Sequence, residues 1–257
     1  MKKPERTVSP RDLQRQRVAE LREQSNYMGS FYRMTVGKHL LRLLPFPLEP
    51  VMSGELDVSE ATLSLDVPMH FVSFGKGHKA VKEVCPLETS GTPCPICQLY
   101  GSLMDIAEDE DDKREAYNYK VGTRFFLLVI PGGTSNWDKR MPEASVQIME
   151  VSAKCHNKMW DTFEEVDSII RLDEDGCDVI VTRIGEGFNT DYEARPKRAA
   201  TKGQPIAFSP VDLDWLRDQT IPDLSKLTKP KPYDELLAVA RNLASRYGDI
   251  GLDLGEE

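Results

Sequence analysis

At 257 residues, 40% hydrophobic and 29% charged, the chain can bury a sizeable core as one domain with additions or as two small domains. It has no apolar run of membrane-spanning length, and its basic N-terminus lacks the apolar stretch of a secretory signal, so the expected compartment is the reducing cytoplasm with no membrane partner. A net charge of −9 and a pI of about 5.1 argue against nucleic acid only on average, because the acids gather at 105–112, 173–178 and 249–257 and the basic residues cluster elsewhere.

Residues 1–28 form a basic arm. Within it Ser9, Pro10 and Asp12 have the grammar of a helix start. The helix that follows has a thin apolar stripe, Leu13, Val18 and Leu21, which is too little to fold alone. It either stays solvated or docks on something else. "HLLRLLPFPL" then reads as a short apolar strand stopped by Pro45 and Pro47. "VPMHFVSFGKGHKAVKEV" reads as a hairpin turning at Gly75-Lys76-Gly77. A cysteine-rich segment follows directly, then a short helix in "LYGSLMDIA" that ends in the acidic run, read as an exposed loop. "YNYKVGTRFFLLVIPGG" is the strongest strand and "ASVQIMEVS" another. "NKMWDTFEEVDSII" has helical spacing, and "CDVIVTRIGEGFNTDY" is a last core strand entering a loop. A basic stretch, "ARPKRAATKGQP", comes next. Ser209-Pro210-Val211-Asp212 repeats the helix-start pattern. In "PYDELLAVARNLASRYG" the residues Leu236, Leu237, Ala240, Leu243, Ala244 and Tyr247 share one helical face. Short strands with few helices and no βαβ alternation predict a mainly β fold, a small barrel with appended helices.

Three of the five cysteines and two of the four histidines lie between His70 and Cys97. The spacing is Cys85-x8-Cys94-x2-Cys97. In a reducing compartment such clusters are metal ligands or redox groups rather than disulfides. Three sulfurs and one imidazole complete a tetrahedral shell suited to Zn²⁺, and four protein ligands leave no open position, so such a zinc holds a fold together. Three rivals were weighed. Redox chemistry at Cys94 and Cys97 wants the pair opening a helix in a βαβ setting. Free thiols do not explain three cysteines beside a histidine. "PCPIC" matches half of the zinc deaminase signature, but no histidine is followed two residues on by the glutamate that moves the protons; Asp66 and Glu83, the nearest acids, have the wrong spacing for that role or for a zinc hydrolase. The expectation is therefore a protein that is not an enzyme, with no catalytic residues. Spacing leaves His70 and His78 equally placed as the fourth ligand.

These segments resemble the single-stranded-DNA-binding, helix-destabilising proteins of T-even-type phages. "HFVSFGKGHKAVKEVC" with "CPICQLY" is similar to that family's His-Cys₃ zinc pattern, and the resemblance assigns His70, Cys85, Cys94 and Cys97 as ligands of one structural zinc. It implies an OB-fold-like Greek-key barrel carrying an inserted zinc subdomain, about 66–104, within a core of 29–225. A C-terminal helix and short acidic tail, 226–257, would follow. "LLRLLPFP" is similar to the family's first core strand and implies a DNA-facing Arg42. "YNYKVGTRFFLLVI" implies contacts from Tyr117, Tyr119, Lys120 and Arg124. "NKMWDTF" is similar to a family helix. "GFNTDYEARPKR" implies contacts from Phe188, Tyr192, Arg195, Lys197 and Arg198. Lys2, Lys3 and Arg6 would reach neighbouring copies along the strand, though Pro4 and Glu5 interrupt that motif. The resemblance further implies recruitment of replication proteins through the short acidic C-terminal sequence. The implied work is sequence-independent coating of single strands in replication, recombination and repair. A zinc-stabilised RNA- or partner-binding module is the alternative.

Binding of that kind needs phosphate-binding cations interleaved with aromatics on which bases stack. On a regular strand Tyr117, Tyr119 and Phe125 would share one face and Lys120, Arg124 and Phe126 the other, unless Gly122 breaks the parity.

Overall fold

A computed structural model describes residues 31–72, 81–132, 145–186, 189–198, 206, 208 and 210–247. The basic arm with Lys2, Lys3 and Arg6, the hairpin tip with His78, Phe188 and the acidic tail from residue 248 lie outside the described residues.

The strands are β1 (Phe31–Tyr32), β2 (Gly37–Leu44), β3 (Leu65–Val72), β4 (Val81–Val84), β5 (Val121–Pro131), β6 (Gln147–Val151), β7 (Val179–Ile184) and β8 (Asp191–Pro196). The helices are α1 (Leu48–Ser53), α2 (Pro86–Ser90), α3 (Pro95–Ile106), α4 (Glu110–Ala116), α5 (Ala153–Glu165), α6 (Leu213–Arg217) and α7 (Tyr233–Ala244), with short 3₁₀ turns between them. All eight strands form one sheet in the order β1-β6-β5-β2-β7-β8, with β3 on β5 and β4 on β3. Among the described strands only β1–β6 is parallel. Among the described residues the path is open, and no pair joins its two ends. No described helix is long and apolar enough to cross a membrane.

Strand β5 is the axis. One edge lies along β6; the other is shared, its first half pairing with β3 and its second with β2. Its run of apolar residues follows from burial on both faces. Leu127 and Val129 enter one cluster with Leu41, Leu43, Met149 and Val181, under α5. Phe126, Leu128 and Ile130 enter the other with Leu44, Val67 and Ile148, under α6 and the segment after it. A third cluster sits off the sheet, between β3, α3 and α7.

Most predicted elements are present, including the β3–β4 hairpin, β6 and α5. Four differ. Tyr117–Tyr119 form a 3₁₀ turn and β5 begins only at Val121, so the expected facing of Tyr117, Tyr119 and Phe125 does not arise. The acidic run starts helix α4: the Asp109 carboxylate accepts from the amides of Asp111 and Asp112, and acids in a first turn suit the helix dipole. The stretch from Asp191 is not a loop but strand β8, whose residues alternate exposed and half-buried against β7. Helix α6 is capped by Asp212, whose side chain accepts from Asp214 and Trp215 amides. In addition, the C-terminal helix is no separate appendage. Leu236, Ala240 and Leu243 are fully buried in the third cluster, where each leucine contributes about 1.5–3 kcal/mol of burial.

Candidate metal centre

His70, Cys85, Cys94 and Cys97 come together with all ligand atoms within 4.8 Å of one another. Three elements deliver them. His70 points inward from β3 toward the end of the hairpin. Cys85 and Cys94 are the N-caps of α2 and α3, each followed by proline at the first helical position, where a missing N–H costs nothing. Cys97 lies one turn into α3. The repeated Cys-Pro thus aims two sulfurs from two helix starts into one point. Gly91, at φ +71°, ends α2 and lets the chain turn back toward Cys94.

The distances suit a tetrahedral ion. Cys94 Sγ lies 3.4 Å and Cys97 Sγ 3.5 Å from His70 Nε2, and the Cys85 and Cys97 sulfurs are 3.5 Å apart. Zinc bonds of ordinary length give tetrahedral edges of about 3.6 Å for S···N and about 3.8 Å for S···S. His70 Nδ1 donates to the Tyr119 carbonyl at 2.8 Å. That bond holds the proton on Nδ1 and turns the Nε2 lone pair to the sulfurs, the usual support of a metal-binding imidazole. His70, Cys85 and Cys94 are buried and Cys97 partly so.

The three thiols do not ionise alike. Hydrogen bonding from Cys97, opposed by burial and aided by His70, holds Cys94 down to about 4. Cys97 is pushed up because its proton is held in a hydrogen bond to Cys94, with burial and the negative charge on Cys94 adding to the rise. Burial raises Cys85, against the pull of the Glu88 and Leu87 amides. One thiolate forms readily; the others need a cation to share, so loading a metal releases protons. Cys94-x-x-Cys97 does open a helix, the place a redox pair takes, but its setting is an antiparallel hairpin and a third sulfur stands within 3.5 Å. Among the described residues the four-ligand set contains no carboxylate. Glu83 is 2% exposed and bound to Lys231.

The residues expected at DNA divide into three groups. Two require correction. Arg42 is wholly buried: it donates to the Arg171 carbonyl at 2.8 Å and sits 3.9 Å from Asp178, also fully buried. The 171–178 loop closes over it because residue 176 is glycine; a Cβ there would meet Arg42 Nη2 at 2.1 Å. Tyr119 is 4% exposed, its ring in the third cluster and its hydroxyl 2.8 Å from that of Tyr247. A second group is accessible beside the metal module. Lys120 stands over the exposed Tyr117 ring, and Arg124 over Phe71 at 4.0 Å with Glu150 at 3.7 Å. The third lies on and after β8, where Arg195 and Arg198 are exposed, Tyr192 is half-buried against the first cluster, and Lys197 is 3.7 Å from Asp178.

Phe71 escaped sequence reading, and Glu83 entered it only as an acid with the wrong spacing for catalysis. Strand parity offered a signal for Phe71: it falls on the face opposite His70, with Val67 and Met69, half-buried against the second cluster. No signal marked the pairing of Glu83 with Lys231, which is distant in the chain. Of known protein families none has a model matching this sequence, and no curated protein matches it either.

Proposed function

We propose that this protein binds single-stranded DNA without sequence preference, on an OB-fold-like body braced by one structural zinc. The coating of strands during replication, recombination and repair is the corresponding role, as in the phage family it resembles. The observation that carries the reading is the paired basic and aromatic side chains at the start of β5, Lys120 over Tyr117 and Arg124 over Phe71. Cations held against the exposed Tyr117 ring and the half-buried Phe71 ring give phosphates and bases adjacent partners, and stacking adds about 1–3 kcal/mol per base. Arg195 and Arg198 on the β8 ribbon extend the positive surface. Zinc fits the donor set because three thiolates and an imidazole suit it. Four protein donors leave a bound ion without an open position for substrate, so the centre is read as structural and the protein as non-catalytic.

Titration of the full chain with oligo(dT), a mixed-sequence single strand, duplex DNA and RNA at two salt concentrations tests this. The expected result is similar affinity for both DNA single strands, weaker duplex binding, and affinity falling steeply with salt. Arg124→Ala combined with Lys120→Ala should weaken binding across all sequences and flatten the salt dependence. Tighter duplex binding, strict sequence dependence or no binding at low salt overturns the proposal. Preferential RNA binding supports the RNA-module reading instead.

A further inference from the structure

Helix α7 is fastened to the metal centre along its whole length. At its start, Lys231 Nζ lies 2.6 Å from Glu83, a carboxylate 2% exposed and two residues before Cys85. The Tyr233 hydroxyl donates to Gln98, next to Cys97, at 3.4 Å. In the middle, Leu236, Ala240 and Leu243 share a cluster with Cys85, Cys94, Ile96 and Leu99. Just past its end, the Tyr247 hydroxyl donates to Glu115 at 3.1 Å, so the 2.8 Å bond between the two tyrosines runs from Tyr119 to Tyr247. Tyr119 is also the residue whose carbonyl orients His70. Cys85, the α3 ligands and the histidine therefore each have a neighbour held by the segment 231–247.

We infer that metal occupancy and the docking of α7 are reciprocally coupled, so that the metal centre is a clasp for the C-terminal helix and Lys231 and Tyr247 are positioning residues of that centre. The inference rests on the four-ligand metal reading and is independent of DNA binding. Coupling between two sites is mutual: whatever α7 adds to metal retention, the metal adds to α7 docking. Metal loss then undocks α7 and uncovers Leu99 and Leu103 on α3.

The experiment uses the full chain loaded with Zn²⁺. Amide exchange is measured before and after chelation. Amides of α7 should lose protection together with those of α3, while those of β5 from Phe126 to Ile130 and of β6 keep theirs. In a second arm, Tyr247→Phe and Lys231→Met should lose zinc to a chelator about ten-fold faster than wild type, a typical coupling factor. Lys226→Met, at an exposed position, should match wild type. Cobalt-substituted variants should retain sulfur-to-cobalt absorption, showing the same four ligands held less firmly. Unchanged α7 protection after chelation, or wild-type rates of zinc loss in both variants, overturns the coupling. A purified chain that takes up no zinc overturns it together with the metal reading, and that is seen before either arm begins. Failure of either variant to fold leaves the wild-type exchange result decisive.

Discussion

Strand β5 passes through two regions built on different principles. From Phe126 to Ile130 it is buried on both faces, and the side chains of each face meet a full apolar cluster. From Val121 to Arg124 it is half-buried or exposed and joins the β3–β4 hairpin, α2 and α3. There the buried interior is small, and four polar ligands occupy its centre. The first region is held by area removed from water; the second lacks that area and places a metal-binding set where a core would be. Small units commonly need such a staple. The consequence is that the two regions should fail under different insults.

Cys94→Ser combined with Cys97→Ser has the largest expected effect. Structural zinc is worth about 10–16 kcal/mol to isolated zinc-finger peptides, and nothing in the third cluster replaces a contribution of that kind. The variant should bind no zinc by metal analysis and lose amide protection in α3 and α7, with the sheet intact. Uniform loss of protection across β5 and β6 would break the contrast. Next come matched truncations: Leu127→Ala and Leu243→Ala remove the same atoms from fully buried sites, each at about 2–5 kcal/mol. The first should lower the denaturant midpoint of the sheet and leave zinc retention alone; the second should speed zinc loss and spare the sheet. Gly176→Ala should cost about 1–3 kcal/mol by pushing the 171–178 loop off Arg42, measured as a lower melting temperature at unchanged zinc content. Asp109→Ala removes a helix cap for about 1 kcal/mol or less, confined to α4 by amide exchange.

The smallest effect concerns pH in the sheet region. Burial, opposed by Asp66 and Asn157, lowers His156 below its ordinary 6.5. Its ring stacks on Phe125 at 3.9 Å, and its Nε2 lies 3.1 Å from the Ser64 hydroxyl. The unfolded chain therefore takes up this proton first as pH falls. The contribution is complete above 6.5, shrinks as pH drops below that value and levels off once the folded protein is protonated too. Denaturant titrations from neutral pH downward should show a slope that His156→Gln reduces. The metal module should respond to acid separately, by releasing its ion as protons compete for the thiolates.

The sequence by itself was enough for the ligand cluster and for most elements. Cys85-Pro86 and Cys94-Pro95 carry their own local instructions, since the proline starts a helix and leaves the cysteine at the N-cap position. The apolar run of β5 and the face of α7 are set by period alone. Charge misled where pairing was local and hidden: the acids after Glu108 cap and open α4 instead of forming a loop. The tertiary structure decided what long-range contacts control. Spacing left His70 and His78 open and only the resemblance named His70; the hairpin register then places His70 beside the Tyr119 carbonyl and the sulfurs. An arginine in an apolar strand reads as exposed until Asp178, the Arg171 carbonyl and Gly176 close over it from far along the chain. The union of α7 with the metal centre rests on Lys231–Glu83 and Tyr247–Tyr119. No local propensity encodes such pairs, because burial and pairing depend on which distant elements share a face.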